Sequence, residues 1–292
     1  NHAFYNCTSL TEISLPRTLK SIDYYAFYNC TGLQSIELPD SVTAISGYAF
    51  RNCTALTSVE LPLSWETLQA GSSSYSDRSP FVGCSALTTI ALPDGMTRLP
   101  DYAFADCSQL ESVILPGSLT EIGSSAFHGC TALGQISLPE TLSVIGSSAF
   151  DGCSALTDIS IPGQVTEIQA YTFSGCTSLS EITLPEELTT IHYYAFSGCT
   201  GLLQIHIPDS VSVLSGYAFR NCTALTSVDL PLSWVSTGST YGDRSPFAGC
   251  VSLTEIAIPE GMIRIPDYAF TGCSFLKTAT IPDSLTEIGS YA

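Results

Sequence analysis

The side chains with the most reactive chemistry in this sequence are twelve cysteines, and their spacing restricts what they can do. Consecutive cysteines lie 23 residues apart, except for one step of 31 residues and one of 28. No C-x-x-C pair of the kind that binds zinc occurs. Stacked cysteines roughly 5 Å apart could form disulfides. However, each has a Phe three residues before it and a Leu three residues after it. Because free cysteine packs as a small apolar side chain, we predict a buried ladder of reduced thiols.

The histidines give little support for catalysis. No H-E-x-x-H motif, nucleophile elbow or phosphate-binding loop occurs in the sequence. His206 is expected to project from a strand beside Asp229 of the next repeat, which predicts a polar surface pair. The sequence therefore predicts a protein that is not an enzyme and needs no cofactor. The four histidines, each in a different repeat, are His2, His128, His192 and His206.

Acidic side chains recur just after a proline that is common to all repeats. Aspartate is favoured in turns, which explains most of these positions. Other repeats have Gly, Leu or Arg there, so the acidic row is interrupted. A calcium site along this edge remains an alternative to solvated turn residues. The acidic positions are Asp40, Asp94, Glu140, Glu186, Asp209, Glu260 and Asp283.

The overall charge excludes two classes of partner. The chain has 27 acidic residues against 9 basic residues, a formal net charge of -18. Nucleic acids and anionic membranes are bound by basic patches, so neither is expected as a partner. No apolar run approaches the roughly 20 residues that span a bilayer, so no membrane insertion is expected. The acidic balance is typical of a soluble surface protein, or of one that meets cations or basic partners.

Each repeat predicts two short extended segments joined by turns, with the pattern C-T-x-L-T-x-I-x-L-P-x-x-L-T-x-I-x-x-x-A-F-x-x. In the repeat from Cys30 to Arg51, the apolar residues around Ile36 alternate as in a strand with one buried face. Pro39 has no N–H for a ladder and ends that strand. Ile45 returns to the core on the second segment, and Phe50 fills the core from a tight turn.

The residue before each cysteine is Gly, Asn or Asp in all twelve repeats. These types tolerate positive φ better than others do. We therefore predict a left-handed backbone conformation at this position.

One repeat alone cannot bury its apolar side chains, so the repeats must stack. We predict a solenoid of about twelve coils with a parallel β-sheet on its concave face. Second short strands and tight or 3-10 turns would form the other sides. The handedness of parallel crossovers predicts a right-handed superhelix.

The unit L-x-x-I-x-L-P…I-x-x-x-A-F-x-x-C resembles the BspA-like leucine-rich repeat family over essentially the whole chain. The resemblance implies a leucine-rich-repeat solenoid. It also implies an extracellular or cell-surface location and a role in adhesion to host proteins or other cells.

A longer period is superimposed on the short one. The segment 51–59 returns at 220–228, and the segment 77–81 returns at 243–247. This indicates a duplicated block, roughly residues 1–169 and 170–292, within one continuous solenoid domain at 1–292. Because the sequence starts and stops inside repeats, we interpret it as a fragment of a longer chain.

The two long repeats carry Ser- and Gly-rich insertions with aromatic and basic residues. Their tryptophans stand where other repeats have Leu or Val, so a core or covering role is one interpretation. A repeated ligand-contact loop is the other. The candidate contact residues of the two loops are Trp65, Tyr75, Arg78, Trp234, Tyr241 and Arg244.

Tyrosine recurs two residues before the repeat phenylalanine, so stacked repeats would align these rings in a stripe. Tyrosine is favoured at interfaces, because a rigid amphipathic ring gives contact area at low entropy cost. The alternative is that the rings only cover the coil edge. The outward face of the sheet is short-chained and nearly free of aromatic residues, which makes it the weaker candidate. The candidate residues are Tyr25, Tyr48, Tyr102, Tyr171, Tyr193, Tyr194, Tyr217, Tyr268 and Tyr291.

The sequence thus favours a non-enzymatic cell-surface or secreted module that recognises a protein or glycan partner through an extended repeat surface. The alternative is a structural spacer or self-assembling fibre element without a dedicated ligand. Self-association fits the second reading, because open ends of a stack favour end-to-end contact.

Overall fold

The computed structural model describes residues 1–62, 79–235 and 245–292. Within these ranges the chain contains no helix and forms two series of very short strands. The three-residue strands are β2 Ser35–Glu37, β4 Ser58–Glu60, β5 Thr89–Ala91, β7 Ser112–Ile114, β10 Asp158–Ser160, β12 Glu181–Thr183, β14 Gln204–His206, β16 Ser227–Asp229, β17 Glu255–Ala257 and β19 Thr278–Thr280. The two-residue strands are β1 Ser21–Ile22, β3 Ala44–Ile45, β6 Arg98–Leu99, β8 Glu121–Ile122, β9 Val144–Ile145, β11 Glu167–Ile168, β13 Thr190–Ile191, β15 Val213–Leu214, β18 Arg264–Ile265 and β20 Glu287–Ile288.

Every pairing among the described strands is parallel and joins equivalent positions of neighbouring coils. In the first series, β14 pairs with β16 so that Ile205 lies opposite Val228. In the second series, β11, β13 and β15 form one sheet in which Ile191 lies between Ile168 and Leu214. The chain is therefore a parallel β-solenoid whose repeats stack in register, as the sequence predicts.

The first series of strands has one buried face and one exposed face. In eight of its ten strands the central residue is buried while both flanking residues are exposed. A side-chain period of two produces this alternation. The proline after each strand cannot extend the ladder, so the strands stay at three residues.

A column of phenylalanine rings forms the centre of the solenoid. Consecutive rings from Phe4 to Phe270 are stacked nearly parallel, with centroids 5.0 to 6.3 Å apart. The rings from Phe50 to Phe247 are completely buried. Each such ring stabilises the fold by roughly 1.5–3 kcal/mol through burial alone. The column continues across both long repeats, where the spacings on either side of Phe81 are 5.4 and 6.2 Å.

The turn between the second strand and the next cysteine is closed by hydrogen bonds over three residues. The Ala49 N–H donates to the Ser46 carbonyl at 3.2 Å, and the Cys53 N–H donates to the Phe50 carbonyl at 3.1 Å. The predicted tight turn is therefore present.

The predicted left-handed conformation is confirmed at all twelve positions before cysteine. The φ angles are 57–61° at the Asn and Asp residues and 70–79° at the Gly residues. A Cβ added at Gly83 would lie 2.5 Å from the Asn52 side chain, so this glycine also makes room for its neighbour. The positions are Asn6, Asn29, Asn52, Gly83, Asp106, Gly129, Gly152, Gly175, Gly198, Asn221, Gly249 and Gly272.

Candidate functional site

Eight of the nine candidate tyrosines, all except Tyr193, lie in one column along the solenoid, at the position two residues before the phenylalanine of each repeat. We call this the tyrosine column. Eight of its positions are tyrosine, four are serine and one is histidine. In order the residues are His2, Tyr25, Tyr48, Ser79, Tyr102, Ser125, Ser148, Tyr171, Tyr194, Tyr217, Ser245, Tyr268 and Tyr291.

The backbone of this column is left-handed, which the residue types do not reveal. Eleven of its residues, all except Ser79 and Ser245, have φ between 54 and 63°. For a bulky residue this conformation costs roughly 1–2 kcal/mol. Hydrogen bonds hold it in place: at Tyr102 the N–H donates to Ser124 at 2.8 Å and the carbonyl accepts from Ala105 at 3.1 Å. The repeat therefore imposes an unfavourable conformation on tyrosines that a glycine or asparagine would adopt more readily.

Tyr171, Tyr194 and Tyr217, from three consecutive coils, stack on one another. A fourth ring, Tyr193, lies one residue before the column and contacts two of them. The Tyr171 and Tyr194 rings are parallel with centroids 5.0 Å apart, and Tyr194 and Tyr217 follow at 5.1 Å. Tyr193 stands nearly perpendicular to Tyr171 and Tyr194, with centroid distances of 5.5 and 5.8 Å. We call these four residues the tyrosine run.

The tyrosine run is closely packed and partly open to solvent. Tyr193 is 43% exposed and Tyr171 is 36% exposed, while Tyr194 and Tyr217 are half-buried. Partial burial, together with the neighbouring Tyr193 and Tyr194 phenols, raises the pKa of the Tyr171 hydroxyl. The inner rings contact each other through their faces, so they present mainly their edges and hydroxyls.

A second stack lies near the start of the chain. His2 stacks on Tyr25 at 4.9 Å, and Tyr25 stacks on Tyr48 at 5.3 Å.

The Arg51 guanidinium lies over the Tyr48 ring at 4.9 Å, and Tyr48 is buried. Arg220 lies over the Tyr217 ring of the tyrosine run in the same way, at 5.1 Å. Such cation–π contacts are worth about 0.5–2 kcal/mol. Arg51 and Arg220 occupy equivalent positions in the two duplicated segments, and the sequence pattern alone does not predict their ring contacts.

The serines of the tyrosine column are of two kinds. Ser79 and Ser245, in the long repeats, are buried and donate to the Ala103 and Ala269 carbonyls at 2.6 and 2.8 Å. Ser125 and Ser148 are half-buried and keep the left-handed backbone of the tyrosines. They leave a break in the stack between two tyrosines.

The other predicted contact residues are distributed as follows. Tyr268 stacks on Tyr291 at 5.2 Å. Trp234 is only 2% exposed and meets Phe270 edge-on at 6.0 Å, so its side chain belongs to the core and does not present a contact surface. The remaining five candidates lie outside the described residues: Trp65, Tyr75, Arg78, Tyr241 and Arg244.

The outward face of the first strand series carries small and acidic side chains. The predicted pair is present, with 3.4 Å between His206 Nδ1 and Asp229 Oδ2, and both side chains are largely exposed. Exposed pairs of this kind contribute at most about 1 kcal/mol. This face offers no comparable cluster of aromatic rings within the described ranges.

The cysteines form the predicted buried ladder of free thiols. Ten are buried, and only Cys7 and Cys273 are partly accessible. Each buried Sγ donates to a phenylalanine carbonyl of the preceding coil at 3.0–3.4 Å. Burial raises the pKa of the thiols from Cys30 to Cys222, and it raises that of Cys273 to about 11. Neutral buried thiols are poor nucleophiles and poor metal ligands, so the ladder serves packing.

Two equivalent ion-pair clusters lie on the second strand series. Arg98 bonds Glu121 at 2.9 Å and Asp101 at 3.3 Å. Arg264 bonds Glu287 at 2.8 Å and Asp267 at 2.7 Å in the second block.

In the described parts of the chain, no group of three or more His, Cys, Asp or Glu side chains is arranged to hold a metal ion. Residues 1–62, 79–235 and 245–292 also contain no helix long and apolar enough to cross a bilayer.

Comparison with known proteins gives one family over the whole chain. A family model described as "BspA type Leucine rich repeat region" matches in six copies, over residues 1–79, 77–203, 143–241 and 240–292. No curated protein sequence matches the chain.

Solved structures share the fold. A leucine-rich repeat protein from Bacteroides ovatus is 26% identical with a TM-score of 0.66, and the match covers 98% of this chain and 79% of that one. A leucine rich cell surface protein from Faecalibacterium prausnitzii is 28% identical with a TM-score of 0.53, over 97% and 86% of the two chains. A leucine-rich repeat protein from Eubacterium ventriosum is 21% identical with a TM-score of 0.60, over 94% and 65%, which shows a shared fold only.

Proposed function

Because the chain belongs to the BspA-type leucine-rich-repeat family, we propose that it is a non-enzymatic binding or adhesion module that works at the cell surface or after secretion. It recognises a protein or glycan partner through an extended surface of its repeats. The similarity to a cell surface protein of Faecalibacterium prausnitzii supports this location. The formal net charge of -18 favours neutral or basic partners.

The observation that carries this proposal is the tyrosine run. Four rings are held by stacking and edge contacts between 5.0 and 5.8 Å. A ring that is already ordered loses little side-chain entropy when a partner binds, and tyrosine is enriched among residues that dominate interface energies. The run is therefore a packed aromatic surface that the chain presents to solvent.

The geometry of the rings also indicates how they contact a partner. Tyr194 has the parallel Tyr171 ring on one side at 5.0 Å and the Tyr217 ring, tilted by 33°, on the other at 5.1 Å, so a ring covers each of its faces. What remains is a row of ring edges and phenol hydroxyls spaced by the coil repeat. Such a row suits a protein surface, which supplies carbonyls and apolar groups along an extended line.

The test uses the whole chain to select ligands from displayed protein domains and from a glycan array. In the key variant, Tyr193→Ser, Tyr194→Ser and Tyr217→Ser are combined. A matched control combines Ser160→Ala, Thr183→Ala and Ser227→Ala on the exposed sheet face. The tyrosine variant should weaken a selected ligand at least about thirtyfold while staying cooperatively folded, and the sheet control should bind normally. Loss of binding only in the sheet control would reject the tyrosine run.

The alternative of a spacer or fibre element has its own readout. Sedimentation across a wide concentration range, followed by electron microscopy, measures self-association. A structural element should form filaments that lengthen as the concentration rises, while neither library yields a saturable ligand. This pair of results would reject the binding module and support a structural role.

A further inference from the structure

The break in the tyrosine column between Tyr102 and Tyr171 is a second, chemically different surface. Among the column tyrosines inside the chain, these two are the most exposed, at 39% and 36%. Tyr102 has no stacked ring among the described residues, and Tyr171 has its parallel neighbour, Tyr194, on one side only. Among the described residues, no aromatic ring stacks on either tyrosine from the side of the intervening coils of Ser125 and Ser148. We call this interval the serine gap.

The length of the serine gap follows from the stacking. Tyr102 and Tyr171 are three coils apart, and adjacent rings in the column are spaced by 5.0–5.3 Å where they stack. The two tyrosines are therefore separated by about 15 Å along the solenoid, three parallel-strand spacings. No side chain larger than serine fills the column between them.

The serine hydroxyls in the gap are half-buried and have no side-chain hydrogen-bond partner among the described residues. Ser125 and Ser148, and the preceding Ser124 and Ser147, make no side-chain hydrogen bond to any described residue. Other hydroxyls of the same coils behave differently, because each donates to a carbonyl of the preceding coil at 3.0–3.3 Å. These are Thr120, Thr131, Ser143 and Ser154.

A polar pair borders the gap. In two other coils the residue three positions after the column residue packs on its ring, as Arg51 does on Tyr48 and Arg220 does on Tyr217. At the two serine coils this residue is His128 or Asp151, and each N–H donates to the carbonyl of its serine at 3.1 Å. The His128 Nδ1 and Asp151 Oδ2 atoms are 3.2 Å apart, and both side chains are partly exposed.

The geometry points to the serine gap as a binding subsite for a short neutral oligosaccharide that lies along the solenoid. A pyranose has an apolar C–H face that packs on an exposed aromatic ring, and the two tyrosines offer such faces at the two ends. Serine hydroxyls, a carboxylate and an imidazole supply both donors and acceptors for sugar hydroxyls between them. A protein segment is disfavoured, because the column positions between the two tyrosines are serines, which offer little apolar area to an anchoring side chain. This inference rests on the proposed binding function and gives one surface its ligand class.

The test fills the gap without disturbing the fold. Ser125→Tyr combined with Ser148→Tyr places tyrosine in the backbone conformation that eight other coils already accommodate. Calorimetric titration of the whole chain with neutral di-, tri- and tetrasaccharides, chosen from array hits, should give saturable binding. The gap-filled variant and Tyr102→Ser should each weaken it at least about tenfold. Thr120→Ala, an exposed hydroxyl of the same coils, should bind like the original chain.

Two results would overturn the inference. One is that the original chain binds no neutral oligosaccharide on the array. The other is that the gap-filled variant binds as well as the original. In either case, a protein ligand lost on mutation of Tyr193, Tyr194 and Tyr217 but kept in the gap-filled variant would leave the proposed function intact.

Discussion

The tyrosine run and the serine gap have the same backbone and nearly the same core, yet they present opposite surfaces. Column φ angles are 58–63° at Tyr194 and Tyr217 and 54–56° at Ser125 and Ser148. The phenylalanine beneath each is fully buried and stacked. In one region the column side chains cover each other, and in the other they leave ring faces and hydroxyls open. In this solenoid the repeat determines the backbone, and the residue at each column position determines what the surface can bind.

The largest expected change in the free energy of unfolding comes from substitutions in the core, and it tests whether the core is equivalent beneath the two regions. Phe150→Ala beneath the gap and Phe196→Ala beneath the run should each destabilise the chain by about 3–5 kcal/mol, because both rings are completely buried. Urea unfolding followed by circular dichroism measures both. If the two variants lose amounts of unfolding free energy that differ by more than about 1–2 kcal/mol, the core is not equivalent beneath the two regions.

The next effect tests the stacking of the run. Tyr194→Ser removes three ring contacts, at 5.0, 5.1 and 5.8 Å, and some buried area. Serine adopts the same left-handed φ at Ser125, so little strain is gained or lost. We expect a loss of about 1–3 kcal/mol in the free energy of unfolding. An unchanged value would mean that the rings do not stabilise the run.

The reverse substitution should have the opposite sign. Ser125→Tyr with Ser148→Tyr would create a continuous stack from Tyr102 to Tyr171 and should add about 1–2 kcal/mol. The same unfolding assay measures it, with Ser160→Ala on the exposed sheet face as the neutral control. A clear destabilisation would show that the gap coils cannot accept tyrosine and that the two regions differ in more than side chains.

The smallest effect concerns the pair at the edge of the gap. The hydrogen bond to Asp151 raises the pKa of His128 above its ordinary value near 6.5, against the opposing effect of partial burial. Protonated His128 therefore stabilises the fold fully below about pH 6.5, and this contribution disappears as the pH rises through the raised pKa. Because the pair is partly exposed, His128→Gln should cost less than about 1 kcal/mol near pH 5.5 and nothing near pH 8.5.

Melting curves at the two pH values measure the His128 effect, and an NMR titration of the imidazole measures the pKa itself. The Tyr194→Ser cost should stay constant over the same range. A His128→Gln cost that is larger at high pH would contradict the assigned pairing.

The strands, core and turns of the fold were predictable because the same residue pattern occurs twelve times in the sequence. The apolar alternation around Ile36 predicts the first strand, and Pro39 predicts its end. The cysteine flanked by core residues predicts the buried thiols. The Gly, Asn and Asp residues before cysteine predict the left-handed turn, because those types tolerate positive φ.

The site was predictable only in outline. The spacing places the tyrosines in one column, but the tyrosine residue type does not indicate positive φ, so the sequence does not predict the second left-handed position. The sequence also does not predict the arginines over Tyr48 and Tyr217, since a contact three residues ahead depends on the turn geometry. Trp234 stands at a Leu or Val position, which already favoured the core role that the structure gives it. The sequence shows that Ser125 and Ser148 stand at column positions. Only the structure shows that these serines leave Tyr102 and Tyr171 without a stacked neighbour on that side.

The most direct test of the account is a footprint of the chain with its selected ligand bound. Tyrosine-reactive labelling, read by mass spectrometry together with hydrogen exchange, maps what the ligand covers. Protection of Tyr193, Tyr194 and Tyr217, with unchanged exchange in β14 and β16, is the predicted result. Protection confined to those strands of the sheet, with the tyrosines labelled as in the free chain, would contradict it.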